Sequence, residues 1–254
     1  MKTIFSATLA MALYLTSQGQ SPDAPKTSGT INYEEKMKME IKLEGESAQF
    51  ADMLPKERTT NKTLFFSPEA SLYKPAAEKP KTDQVEQESA GAMIHVQLMA
   101  SDDQVYRDLK ENKQIEQRDF MSRMFLIESD LGTADWKLTG QQKTILGFPC
   151  QEAVRKSDSS TIRAWFTPSI PVSTGPQSYG SLPGVILAVD VNDGSRLITA
   201  TSVDLNPPDK SAFKKPKEGK KVTPEQFKKI VDEKMKEMGA EGGNGQHVMI
   251  KIIQ

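Results

Sequence analysis

Ile31-Asn32-Tyr33-Glu34-Glu35-Lys36-Met37-Lys38-Met39-Glu40-Ile41-Lys42-Leu43 is the stretch that decides the fold. Apolar side chains hold positions 31, 33, 37, 39, 41 and 43, while polar ones hold 32, 34, 36, 38, 40 and 42. A repeat of two is the mark of a β-strand with one buried face. Glu35 is the single interruption of the apolar face. The run is more than twice the usual strand of about 5–6 residues. A strand this long points to a curved sheet or a barrel edge rather than a small sandwich.

Working outward, shorter strand-like runs follow at Thr63–Phe66, Ile94–Leu98, Val105–Asp108, Ile115–Phe120 and Arg123–Glu128, then at Thr144–Phe148, Gln151–Lys156 and Ile162–Phe166. Turn residues separate several of them, as in an antiparallel meander. Val185–Val191 and Arg196–Leu205 form the clearest hairpin, reversed by Asn192-Asp193-Gly194-Ser195, because Asp-Gly tolerates the positive φ of a tight turn. Ala76–Ser89, rich in Lys, Glu, Gln and Pro, reads as an exposed loop. Asn206–Lys221 carries three prolines and six lysines without apolar periodicity and reads as a solvated linker. Thr223-Pro224-Glu225-Gln226 is a capping box that starts a helix. Phe227, Ile230, Val231, Met235 and Met238 share one face of it, and Gly239 is its expected stop. Val248–Ile253 is a hydrophobic terminal strand that needs a partner.

Lys2 and the apolar run Ile4–Leu15 match a secretory signal peptide, with Ser17 and Gly19 before a cleavage point and a mature chain starting at Gln20. About twelve apolar residues are too few to cross a bilayer, which needs about twenty, so no transmembrane segment is expected in the mature chain. The expected organisation is a signal peptide at 1–19, a β-rich domain at 20–205, a Pro/Lys-rich linker at 206–222, and a helix and strand at 223–254 that pack on the same domain. The chain is expected to be exported, to the periplasm or beyond. Cys150 is the only cysteine, so no intramolecular disulfide forms. With Lys+Arg 33 against Asp+Glu 34 the formal charge is −1, which removes the basic field that nucleic-acid binding needs.

Ala164-Trp165-Phe166-Thr167-Pro168-Ser169-Ile170-Pro171, then Gly175-Pro176, then Gly180-Ser181-Leu182-Pro183-Gly184-Val185-Ile186-Leu187, resembles the GLPGLI family of exported bacterial proteins, found mainly in Bacteroidota. The namesake hexapeptide falls at Ser181–Ile186, with serine for the first glycine and Val185 for leucine. Trp136-Lys137-Leu138-Thr139, Ile145-Leu146-Gly147 and Cys150 also look like the family's central pattern. The resemblance is firm over 136–190 and extends more weakly over about 30–205. It implies an exported protein of unassigned biochemical function, with no catalytic residues supplied. By analogy the fold is mainly β (α+β): a curved antiparallel sheet in the manner of a lipoprotein-carrier-like half-barrel, with the C-terminal amphipathic helix closing it.

Pro183 and Gly184 fit a junction where a loop enters a buried strand. The functional reading of the same loop is a rigid rim for a ligand or partner, made by Trp165, Pro168, Pro171, Gly175, Pro176, Tyr179, Leu182, Pro183 and Gly184. His95 and His247 have no second histidine at ligand spacing, so neither a metal nor another cofactor is expected. Phosphate loops, dinucleotide fingerprints and nucleophile elbows are missing from the sequence. The function expected is a non-enzymatic binding, carrier or accessory module of the cell envelope, with a hydrophobic ligand or an envelope protein as partner. Two alternatives stand beside it: a hydrolase or peptidase using Cys150 or a carboxylate pair, and a structural partner of an outer-membrane transport complex.

Overall fold

The computed structural model describes residues 26–43, 56–77, 103–157, 160–241 and 248–252, with two-residue pieces at 84–85, 88–89, 92–93 and 96–97. The signal segment, both histidines, most of the loop expected at 76–89 and most of the run 94–98 lie outside the described residues. Thirteen strands form one open, curved sheet. In chain order they are β1 (Gly29–Leu43), β2 (Glu57–Phe66), β3 (Ala70–Pro75), β4 (Gln104–Asp108), β5 (Lys113–Phe120), β6 (Arg123–Asp130), β7 (Lys137–Ile145), β8 (Phe148–Lys156), β9 (Thr161–Thr167), β10 (Val185–Val191), β11 (Arg196–Asp204), β12 (Lys220–Val222) and β13 (Val248–Ile252). Between β3 and β4, Gln84–Val85 pairs with Val96–Gln97 and Glu88–Ser89 with Ala92–Met93. The order across the sheet is β7-β8-β9-β10-β11-β1-β2-β3-β4-β5-β6-β12, with β13 added beside the far half of β1. Every pairing in the large sheet is antiparallel except the parallel addition of β12 to β6. A mainly β fold with a curved antiparallel sheet and a C-terminal helix is thus what the sequence led us to expect.

The long strand works as its periodicity requires. β1 lies at the centre of the sheet, paired with β2 over Gly29–Lys38 and with β11 over Thr30–Met37. Its Ile31 and Tyr33 join Leu64, Phe66, Tyr73, Phe166, Val189 and Ile198 in the main apolar cluster. Burial of each such side chain contributes about 1.5–3 kcal/mol. The turn at Asn192–Gly194 has three consecutive positive φ angles, as its Asp-Gly demanded. The run expected as one strand at Thr144–Phe148 instead contains a reversal: Leu146 and Gly147 both have positive φ, and Ile145 pairs with Phe148 across a two-residue turn.

The loop between β9 and β10 fills the core face instead of standing clear of it. Ile170, Val172 and Leu182 are buried in the main cluster. The Val185 N–H donates to the Ile170 carbonyl at 3.0 Å and the Ile186 N–H to the Thr174 carbonyl at 3.0 Å, so the loop runs along β10. Cross-links tie it to distant strands: the Tyr33 hydroxyl donates to the Ile186 carbonyl (2.7 Å), Ser71 Oγ and Thr174 Oγ1 share a hydrogen bond (2.7 Å), and Trp136 Nε1 donates to the Gly180 carbonyl (2.8 Å). Gly184 sits where a Cβ would come within 2.1 Å of the Thr167 carbonyl oxygen, so the junction admits no side chain.

The segment read as a linker is docked. Asp209 caps a single 3₁₀ turn at Lys210–Phe213, and Phe213 packs on Ala70, Leu72 and Tyr106. Pro216 and Val222 are buried, and Lys215 reaches Asp108 at 3.0 Å. Sparse apolar residues, spaced by lysines, are enough to anchor it. The helix α1 (Pro224–Glu241) starts with the expected reciprocal cap: the Thr223 N–H donates to Gln226 Oε1 and the Gln226 N–H to Thr223 Oγ1. Phe227 and Ile230 pack beside Phe120, Phe125, Ile127 and Val222, at the β6 end of the sheet. The helix runs through Gly239, and Met235 is exposed. It therefore covers the β6 end of the curved sheet.

Candidate functional site

Glu35, the residue that breaks the apolar stripe of β1, is 6% exposed and faces the core side of the sheet. Register explains its neighbours. Tyr33 lies between Lys62 and Ala200, Glu35 between Thr60 and Ile198, and Met37 between Arg58 and Arg196, all on the same face. Tyr73 of β3 is opposite Leu64 and brings its ring to Tyr33 edge-on, with centroids 5.8 Å apart. The loop between β9 and β10 supplies Gln177 from above.

Of these, Glu35, Met37, Arg58, Thr60, Lys62, Tyr73, Gln177 and Arg196 line a cavity of about 140 Å³, together with Asp103, Gln104, Val105, Gln117 and Arg118. The Tyr73 hydroxyl donates to Glu35 Oε1 at 2.6 Å, and Gln177 Nε2 donates to the same oxygen at 3.1 Å. Arg196 Nη1 donates to Gln177 Oε1 at 3.3 Å, and its Nη2 lies 3.7 Å from Met37 Sδ. The buried Nε of Arg196 has no hydrogen-bond partner among the described residues. Arg118 is held by Glu116 at 2.7 Å. Burial, and then the neighbouring Glu35 carboxylate, push the Tyr73 phenol well above its usual range, so it remains a donor. Gln177 has a φ of 50°, an uncommon conformation for a residue with a side chain and the kind of local strain found at functional sites.

A buried arginine lies below the loop. Arg107 is 4% exposed, and its Nη1 donates to the Tyr179 carbonyl at 2.8 Å. Burial lowers its guanidinium to about 10. It braces the loop backbone two residues from Gln177.

None of the nine rim residues read from the sequence lines this cavity. Gly175, Pro176, Leu182 and Gly184 are buried and serve packing, whereas Pro168, Pro171 and Pro183 are exposed. Trp165 is half-buried, with Lys143 Nζ 4.1 Å above its ring, and Tyr179 is half-buried by its contact with the core. The loop reaches this cavity through Gln177. Cys150 is fully buried, donates to the Phe148 carbonyl at 3.4 Å, and has its thiol pushed up by burial. Those are the properties of a packing residue, not of a nucleophile. Among the described residues no cluster of three or more His, Cys, Asp or Glu could hold a metal. No described helix is long and apolar enough to cross a membrane.

Fold and site together define a mainly β module whose sheet face is plugged by a loop beside a polar, charged cavity. Residues 84–229 match the profile of the N-glycanase peptide, N-terminal domain, and the chain belongs to that family. No curated protein matches the chain. Among solved structures, PNGF-II in space group C2 is similar at 19% identity and TM-score 0.52, over 80% of this chain and 32% of that one. PNGF-II in space group P21 is similar at 17% identity and TM-score 0.52, over 81% and 33%. The chain thus spans about a third of the length of the solved structures it matches.

Proposed function

We propose that this chain is an exported, non-catalytic binding module of the cell envelope, and that its cavity takes a saccharide group of a glycosylated ligand. The observation that carries this reading is the convergence of Glu35, Tyr73, Gln177 and Arg196 on one small cavity, an alternation of acceptors and donors suited to hydroxyl and amide groups. The family relation supports it, since the family is described as an N-glycanase domain. A lipid is the poorer occupant, because the sheet face that a lipid carrier leaves hollow is filled by the loop. Export rests on Lys2 and the apolar run after it, and the GLPGLI resemblance is consistent with it. Titration calorimetry with a glycopeptide carrying one N-linked glycan tests the reading. Binding is expected, with loss when the glycan is removed beforehand and with the glycan still attached after prolonged incubation. Equal binding of the bare peptide overturns the saccharide reading, and release of the glycan overturns the non-catalytic one.

An envelope-protein partner is a second reading, favoured by β7. This strand is the free edge of the sheet among the described residues, and Leu138 on it is 61% exposed.

A further inference from the structure

Gln177 occupies its place in an unusual way for a loop residue. Its carboxamide lies between an acid and a base, giving an N–H to Glu35 Oε1 and accepting at its oxygen from Arg196 Nη1. A carboxylate in the same place would face Glu35 with like charge, and an ammonium would face Arg196. A hydroxyl is too short to span both partners at once. An amide alone combines an N–H donor and a carbonyl acceptor at fixed separation without charge. Next to this slot lie the Met37 side chain and the Tyr73 ring, an apolar wall beside the polar groups. The Gln177 side chain is only part-buried, while the backbone that carries it is held by Arg107.

We propose that this is a carboxamide-recognition subsite, occupied in the unliganded protein by the loop's own Gln177, and that the acetamido group of an N-acetylated amino sugar replaces it. The inference rests on the saccharide reading above and names the part of the saccharide that is recognised. The acetamido N–H takes the place of Gln177 Nε2 on Glu35, its carbonyl takes the Arg196 bond, and its methyl faces Met37. The nearby Nε of Arg196, which lacks a partner among the described residues, leaves this guanidinium under-satisfied until a ligand oxygen arrives.

The test begins with small probes. In Gln177→Ala the slot is vacated, and acetamide or N-methylacetamide raises the melting temperature of this variant, while wild type shows no rise. Acetate, of the same shape but charged, gives no rise in either. A positive φ suits glycine, so Gln177→Gly is the second variant should alanine impair folding. No response to acetamide in either variant, an equal response to acetate, or an equal response in wild type overturns the subsite. N-Acetylglucosamine and glucose are then titrated into the responsive variant by NMR, with about a tenfold preference for the former expected from one charge-assisted hydrogen bond. A response to acetamide with no preference between the sugars overturns the amino-sugar assignment while the slot stands. Failure of every sugar and glycopeptide to bind, with the acetamide response intact, is failure of the saccharide reading instead.

Discussion

Removing the Tyr73 hydroxyl measures how strongly the cavity depends on its buried carboxylate. In Tyr73→Phe the ring and its packing on Tyr33 remain, but Glu35 Oε1 loses its 2.6 Å donor while the longer bond from Gln177 stays. A hydrogen bond to a buried charged group contributes about 1.5–3 kcal/mol, so the variant is expected to lose about 2 kcal/mol of stability. For a domain of this size that lowers the melting temperature by about 4–8 °C. Tyr33→Phe is the internal reference, because the Tyr33 hydroxyl donates to a neutral carbonyl, that of Ile186, at 2.7 Å. A neutral bond contributes about 1 kcal/mol, half the effect. Urea unfolding of both variants, alone and in a Glu35→Gln background, closes a double-mutant cycle. With the amide at position 35, Tyr73→Phe should cost only about 1 kcal/mol, leaving about 1 kcal/mol of coupling between the two residues. Equal cost in both backgrounds, or a larger cost for Tyr33→Phe than for Tyr73→Phe, refutes the charged hydrogen bond as the organising contact.

Two further outcomes follow from the fold. Gly184→Ala places a methyl 2.1 Å from the Thr167 carbonyl oxygen, whose backbone cannot yield, and is expected to destabilise by about 3 kcal/mol in urea titration, while Pro183→Ala, at an exposed position, costs about 1 kcal/mol or less. Asp108 is held below its ordinary value by the Glu111 backbone N–H first and by Lys215 second. A depressed acid stabilises the fold at pH above the unfolded-state value near 4, and that contribution disappears as pH falls through the folded-state value. Asp108→Asn should accordingly show a shallower loss of urea midpoint than wild type as the pH falls below about 4, with parallel curves disproving the contact.

The fold was legible wherever one face meets water and the other the core. β1 alternates because it does so, and the Asn192–Gly194 turn announced itself through residues that accept positive φ. β3 was missed because Ala70, Ser71, Leu72 and Tyr73 are all buried, which erases the alternation. β7 was missed except for its last two residues for the opposite reason: nearly all its residues are exposed, so it has no apolar stripe. The site was harder. Glu35 carried a signal, as the one charged residue on an apolar face. Tyr73, Gln177 and Arg196 carried none, since they come from β3, a loop and β11, and only the sheet register and the folded loop bring them to Glu35.

A buried carboxylate is a poor way to stabilise a sheet. An apolar residue at position 35 would continue the stripe of Ile31, Tyr33 and Met37 and would add favourable burial, whereas Glu35 must be desolvated and recovers part of that cost through Tyr73 and Gln177. The same holds for Arg196, which is brought to this face by pairing with Met37 and leaves one nitrogen without a partner. The loop above could have covered the cavity with another Ile170 or Leu182, yet at this point it presents a carboxamide on a strained backbone. What these groups provide is a set of oriented donors and acceptors, Glu35 Oε1, the Tyr73 hydroxyl, the Gln177 carboxamide and the Arg196 guanidinium, gathered at one small cavity, and that is the observation on which the proposed function rests.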